Sequence, residues 1–141
     1  MEVFIKNLKN TQKFAKAFAK TLKGGERILL NGDLGAGKTT FTKFLAKSLG
    51  VKDEVTSPSF TILKQYKGKI LKINHFDLYR IEDISELREM GFEEFLTPEK
   101  DEILLIEWGE RANLQGEEFI DITIEKVDES KRLIKVNRWE F

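Results

Sequence analysis

The chain of 141 residues contains no cysteine. That single absence excludes a disulfide framework, thiolate zinc sites and a thiol nucleophile. Histidine is nearly missing as well: His75 is the only one, so one imidazole is available for any positioning role. No stretch approaches the ~20 apolar residues that a membrane span needs, and the first residues show no signal-peptide pattern. There are two prolines and no Pro/Gly/Ser-rich linker, repeat or low-complexity tract. These features predict one domain over residues 1–141, large enough for a core without staples, cytoplasmic and without membrane contact.

Net charge is absent too, with 24 basic residues against 24 acidic ones. A protein that reads duplex nucleic acid is normally basic, so tight direct binding of that kind is not expected. The charge is unevenly spread, however. Residues 1–50 hold ten Lys/Arg and three Asp/Glu, a balance of +7, whereas residues 82–129 hold four and seventeen, a balance of −13. Solvated faces of opposite habit account for this; a polarised partner docking by complementary potential would account for it as well.

What the sequence does contain is Gly32-Asp33-Leu34-Gly35-Ala36-Gly37-Lys38-Thr39, a complete G-x-x-x-x-G-K-[ST] loop. Its context is a strand running in, Arg27-Ile28-Leu29-Leu30-Asn31, and a helix running out from Lys38 to Leu49. That helix carries Phe41, Phe44, Leu45 and Leu49 on one apolar face. Glycines let the backbone curl until successive N–H groups point at phosphate oxygens, and the positive end of the helix dipole adds to the field. The pattern predicts that Gly32 to Thr40 bind the phosphates of a nucleotide, with Lys38 reaching the β- and γ-phosphates and Thr39 taking one Mg²⁺ position.

Around the loop, Val3 to Ile5 reads as a short strand. Thr11 to Leu22 reads as an amphipathic helix capped by Asn10 or Thr11 and ended at Gly24-Gly25. Thr61 to Tyr66 and Ile70 to Asp77 read as a hairpin around Lys67-Gly68-Lys69. Asp83 to Met90 is predicted as a short helix, and Thr97-Pro98 as a cap with a first-turn proline. Ile103 to Ile106 is an unbroken apolar run, expected of a strand buried on both faces. Phe119 to Glu125 and Arg132 to Val136 alternate as a closing hairpin. The expected fold class is α/β: a single-domain P-loop NTPase with three α/β/α layers, a mixed, mostly parallel central sheet and C-terminal antiparallel strands.

Ligands of such sheets sit beyond the carboxyl ends of the strands, so Asn31, Asp77 and Glu107 are expected on one rim. Glu107 follows the apolar run directly, and Asp77 ends the strand Leu71 to Asp77. Period-two alternation puts Leu71, Ile73, His75 and Asp77 on one face. Mg²⁺ takes one or two carboxylates beside phosphates, which Thr39, Asp77 and Glu107 can supply. Lys38, Asp77 and Glu107 are therefore the expected catalytic set. His75 is read as a hydrogen-bonded core residue or a positioning group, Arg80 as a salt-bridge partner of the acidic helix or a charge-stabilising arginine. Trp108 is read as packing or an interface anchor.

Several motifs occur together in order: Gly32 to Phe41, Thr56-Ser57-Pro58-Ser59-Phe60, His75-Phe76-Asp77-Leu78-Tyr79-Arg80 and Glu107-Trp108. Jointly they resemble the bacterial TsaE (YjeE) family, the small ATPases of tRNA threonylcarbamoyladenosine synthesis, from about Thr11 to Arg132. The resemblance implies an ATP- and Mg²⁺-binding protein, a weak ATPase alone, acting on a complex of TsaB and TsaD and meeting tRNA only through that complex. It implies Thr39 and Glu107 at Mg²⁺, Asp77 at the nucleotide, and Thr11 and Arg132 on the rest of the nucleotide. The 56–60 loop would be a switch near the γ-phosphate. Ser59 stands where the family usually has Thr, which keeps the hydroxyl, and Gly109 where it often has Pro.

Two other functions use the same loop. A small-molecule or nucleotide kinase would close a lid rich in arginine over its acceptor, but residues 51–102 hold only Arg80 and Arg88. Against a module that merely holds ATP without useful turnover stand Asp77 and Glu107.

Overall fold

The computed structural model describes residues 1–114 and 118–139. The chain runs β1 (Glu2–Ile5), α1 (Leu8–Thr21), β2 (Arg27–Asn31), α2 (Lys38–Ser48), β3 (Leu63–Lys67), β4 (Lys72–Asp77), α3 (Ser85–Glu89), α4 (Phe92–Phe95), β5 (Glu102–Glu107), β6 (Ile120–Lys126) and β7 (Arg132–Asn137). All seven strands join one sheet in the order β1-β7-β6-β2-β5-β4-β3. The central four, β6-β2-β5-β4, are parallel; β3, β7 and β1 add on antiparallel. β2 lies at the middle, where the chain goes first to one side of the sheet and later to the other. Crevices open at such a reversal, beyond the carboxyl ends of the strands.

Alternation along the strands builds two cores. Ile28 and Leu30 of β2, Ile73 of β4 and Ile103 and Leu105 of β5 pack under α1 and α2, against Phe14, Phe18, Phe41 and Leu45. Leu29, Phe76, Leu104 and Ile106 point the other way, onto Leu87 and Phe92 of α3 and α4. The result is three layers, with the unbroken apolar run of β5 buried on both sides as a central parallel strand requires. Phe41 has no exposed surface and meets Phe14 and Phe18 at 5.9 and 6.2 Å between ring centroids. That cluster anchors the helix whose first turn follows the glycine-rich loop. Among the described residues no helix is long and apolar enough to cross a membrane.

Three local expectations are corrected. Helix α1 begins at Leu8, before Thr11, because Asn7 is the cap: its side chain accepts the Asn10 N–H at 3.0 Å. Asn10 in turn accepts the Lys6 N–H at 3.0 Å, a reciprocal arrangement that resembles a capping box. Thr97-Pro98 starts no helix; the chain there turns into β5, with Glu102 N–H donating to the Glu99 carbonyl at 3.1 Å. Strand β3 starts at Leu63 because Thr61 and Ile62 are still turning, both donating to the Pro58 carbonyl. Asn7→Ala should lower stability by about 1 kcal/mol, read as a shifted urea midpoint with unchanged slope. An unmoved midpoint would return the cap to Asn10 or Thr11.

Candidate functional site

The loop from Gly32 to Lys38 joins the central strand β2 to α2. Gly32 sits at φ +151°, and a Cβ there would lie 2.6 Å from the Ile124 carbonyl oxygen of the adjacent strand. Gly37 precedes the helix in a left-handed conformation at φ +113°. No side chain caps α2 and no acid lies in its first turn, so its leading N–H groups are left for an outside acceptor. Lys38 is buried. Its ammonium donates to the Gly32 carbonyl at 2.5 Å and stands 4.3 Å from the Trp108 ring centroid. Burial pushes its pKa below the ordinary lysine value, against the pull of Glu107 and Asp77.

The carboxylates come from neighbouring strand ends. Parallel pairing sets Asp77 of β4 directly beside Glu107 of β5, and Glu107 beside Leu30 of β2. Asp77 is fastened on three sides. Its N–H donates to the Ile62 carbonyl at 2.8 Å, one oxygen accepts the Tyr79 N–H at 3.0 Å, and the other accepts the Ser57 hydroxyl at 3.3 Å. Burial raises its pKa above the usual aspartate value, and the like charge of Glu107 adds to this, while the Tyr79 and Ser57 hydrogen bonds oppose it. Glu107 lies 2.7 Å from His75 Nε2 through one oxygen and 4.0 Å from Lys38 through the other.

Lys38, Thr39, Thr40, Ser57, Ser59, Asp77, Arg80, Glu107 and Trp108 line one cavity of about 460 Å³. The Thr39 hydroxyl and two carboxylates are oxygen donors of the kind a hard divalent cation takes. Among the described residues no group of three or more His, Cys, Asp or Glu side chains gathers to hold a metal. An ion here would therefore need further oxygens from water or from an anionic ligand. A second cavity of about 690 Å³ adjoins the first across Gly37, Thr40 and Arg132. Thr11 lies there, with Ile5, Leu8, Ile124 and Ile134, away from the carboxylates. Arg132 donates to the Ala36 carbonyl at 2.7 Å and borders both cavities. Gly35 and Gly37 border the carboxylate cavity, Ala36 the apolar one, and Leu34 is exposed at the mouth. Asp33 faces the other side of the loop, beside Glu125 and Lys126. Asn31 turns its amide toward Asp121 and Thr123 on β6, off the rim.

Trp108 packs as its sequence reading had it, whereas Arg80 sits differently. Trp108 follows Glu107 at a left-handed φ of +59°; it packs against the second core, where strand alternation sends it, and its ring also meets the Lys38 ammonium. The Tyr79 ring lies tilted against that of Trp108, 5.0 Å between centroids. Arg80 makes no ion pair with the acidic helix among the described residues; its guanidinium lies 4.2 Å over the exposed Phe60 ring, at the cavity wall.

A raised Asp77 pKa means that the folded state holds more protons than the unfolded state between the ordinary and raised values. Stability from this group therefore falls as pH rises through that window. Ligand-free Asp77→Asn should lose this slope and be at least as stable as the parent near pH 7, measured by urea denaturation across pH. A destabilised variant with the slope intact would refute it.

Comparison with known proteins places the chain and its fold in a family. The family model described as "Threonylcarbamoyl adenosine biosynthesis protein TsaE" matches residues 5–134. The protein of that pathway from Aquifex aeolicus is 41% identical over 139 residues, covering 97% of this chain and 96% of its own. Its counterparts from Rickettsia prowazekii and Bacillus subtilis are 40% and 39% identical, over 94% and 96% of this chain and 92% and 86% of theirs. The crystal structure of Bacillus subtilis YdiB superposes with a TM-score of 0.74 at 32% identity, over 96% of this chain and 83% of that one. The chain belongs to the TsaE family of threonylcarbamoyl adenosine biosynthesis proteins.

Proposed function

We propose that this protein is a Mg²⁺-dependent ATPase that serves tRNA threonylcarbamoyladenosine formation by acting as a switch on a TsaB–TsaD complex. One observation carries the chemistry: uncapped helix amides, a buried ammonium and two carboxylates on adjacent strand ends all face one cavity. Family membership supports the pathway. The partner pair and a cytoplasmic location follow from the family likeness and are part of the proposal.

In this reading the amides from Gly35 to Thr40 and the Lys38 ammonium hold the β- and γ-phosphates, where burial makes each contact stronger than in water. Thr39, Asp77 and Glu107 hold Mg²⁺, which neutralises charge developing on the phosphoryl oxygens when bound. Ser57 and Tyr79 keep Asp77 oriented. The apolar cavity beyond Arg132 and Thr11 takes the base and sugar. The uneven charge along the chain suits docking on a partner of complementary potential.

Lys38→Ala removes one or two charge-assisted contacts worth about 1.5–3 kcal/mol each and should weaken ATP binding roughly 10- to 10⁴-fold, read by calorimetric titration. An unchanged titration would contradict the phosphate assignment. Glu107→Ala should retain most nucleotide binding but release no phosphate, and should fail to sustain repeated rounds of tRNA threonylcarbamoylation in a reaction reconstituted with TsaB and TsaD. Normal Mg²⁺-dependent turnover in that variant would place the ion elsewhere.

A further inference from the structure

We propose that His75 is a positioning residue that divides the labour of the two Glu107 oxygens, holding one and leaving the other for the cleft. His75 lies on β4 two residues before Asp77, on the same face, and is 1% exposed; Glu107 is 3% exposed. The 2.7 Å approach of Nε2 to Glu107 Oε2 is a short, buried contact. Among the described residues Nδ1 of His75 has no hydrogen-bond partner. That asymmetry assigns the tautomer. A proton on Nδ1 would be unpaired and would set a bare nitrogen lone pair against a carboxylate; a proton on Nε2 is donated to Oε2 and leaves only an acceptor unmet.

The tether keeps apart two groups of opposite charge. Glu107 Oε1 and Lys38 Nζ are 4.0 Å apart, and Lys38 donates instead to the Gly32 carbonyl. A glutamate free to rotate would close that gap and neutralise the ammonium. Held by His75, it leaves Lys38 free for an anion and Oε1 free for a cation. Groups that orient a metal-binding carboxylate in this way change metal affinity by roughly 10- to 100-fold when lost. This consequence for the ion rests on the ATPase reading; the tether itself does not.

Because the chain has one histidine, ¹⁵N-imidazole NMR of the whole protein yields a single ring system. Ligand-free native protein should show the Nε2–H tautomer with a slowly exchanging proton, and Glu107→Ala should lose that protection. An Nδ1–H tautomer, or a ring indifferent to Glu107→Ala, would overturn the proposal. The second arm measures Mn²⁺ affinity by EPR in the presence of a non-hydrolysable ATP analogue. His75→Leu, which keeps bulk without a donor, should weaken Mn²⁺ roughly 10- to 100-fold. His75→Gln, whose amide can reach the same oxygen, should stay within about threefold. A folded His75→Leu with native Mn²⁺ affinity would also overturn it, whereas a mere packing role would lower the melting temperature and leave this affinity alone. Should His75→Leu fail to fold, the native spectrum and His75→Gln decide. Native protein that bound no Mn²⁺–nucleotide would refute the ATPase reading, and the spectrum would still decide the tether.

Discussion

In-register parallel hydrogen bonding of β4 to β5 and of β5 to β2 sets Asp77, Glu107 and the entry to the glycine-rich loop at one level of the sheet. Side chains alternate between faces with a period of two, so a slip of one residue would turn either acid to the opposite layer. The apolar residues before them enforce the register. Ile73, Ile103 and Leu105 must bury under α1 and α2, and the acids share their parity. Packing thereby positions the polar groups, and the cleft inherits its geometry from the core.

Those groups are costly to bury. A buried lysine and two buried carboxylates would ordinarily collapse into contact pairs, since isolated charges in a poorly polarisable interior are expensive. Here they are kept short of full contact, with Lys38 on the Gly32 carbonyl, Asp77 on Ser57 and Tyr79, and Glu107 on His75. The surrounding layers compensate. Phe14, Phe18, Phe41 and Trp139 pack ring against ring behind α2, so the helix stays fixed although its first turn carries no cap. Poor local satisfaction at the cleft is tolerable because the apolar layer behind it is so well filled.

Much of this was legible in the residues. The loop, the flanking strand and helix, both hairpins and the two strand-end acids follow from spacing and alternation. What was not legible depended on backbone torsions that neighbours impose. Trp108 packs as read, but its added contact with Lys38 goes with a left-handed φ that spacing does not show. Thr97-Pro98 carries the signature of a helix start, yet the chain must enter β5 within a few residues and has no room for one. Asn7 and Asn10 are chemically equal caps, and spacing alone does not separate them. Arg80 has acids nearby in sequence and a phenyl ring nearby in space.

Ile62 adopts φ +69°, a region that β-branched residues avoid, at the exit of the loop that supplies Ser57 and Ser59. Conformations of this kind cost of order 1–3 kcal/mol. Opposing that cost are the Ile62 N–H on the Pro58 carbonyl and the Ile62 carbonyl on the Asp77 N–H. The Ser57 hydroxyl on Asp77 and the mutual hydrogen bonds of Thr56 with the Tyr66 hydroxyl hold the same segment. The segment from Thr56 to Ile62 thus keeps a torsion its own residues disfavour, and its shape depends on partners supplied by β3 and β4.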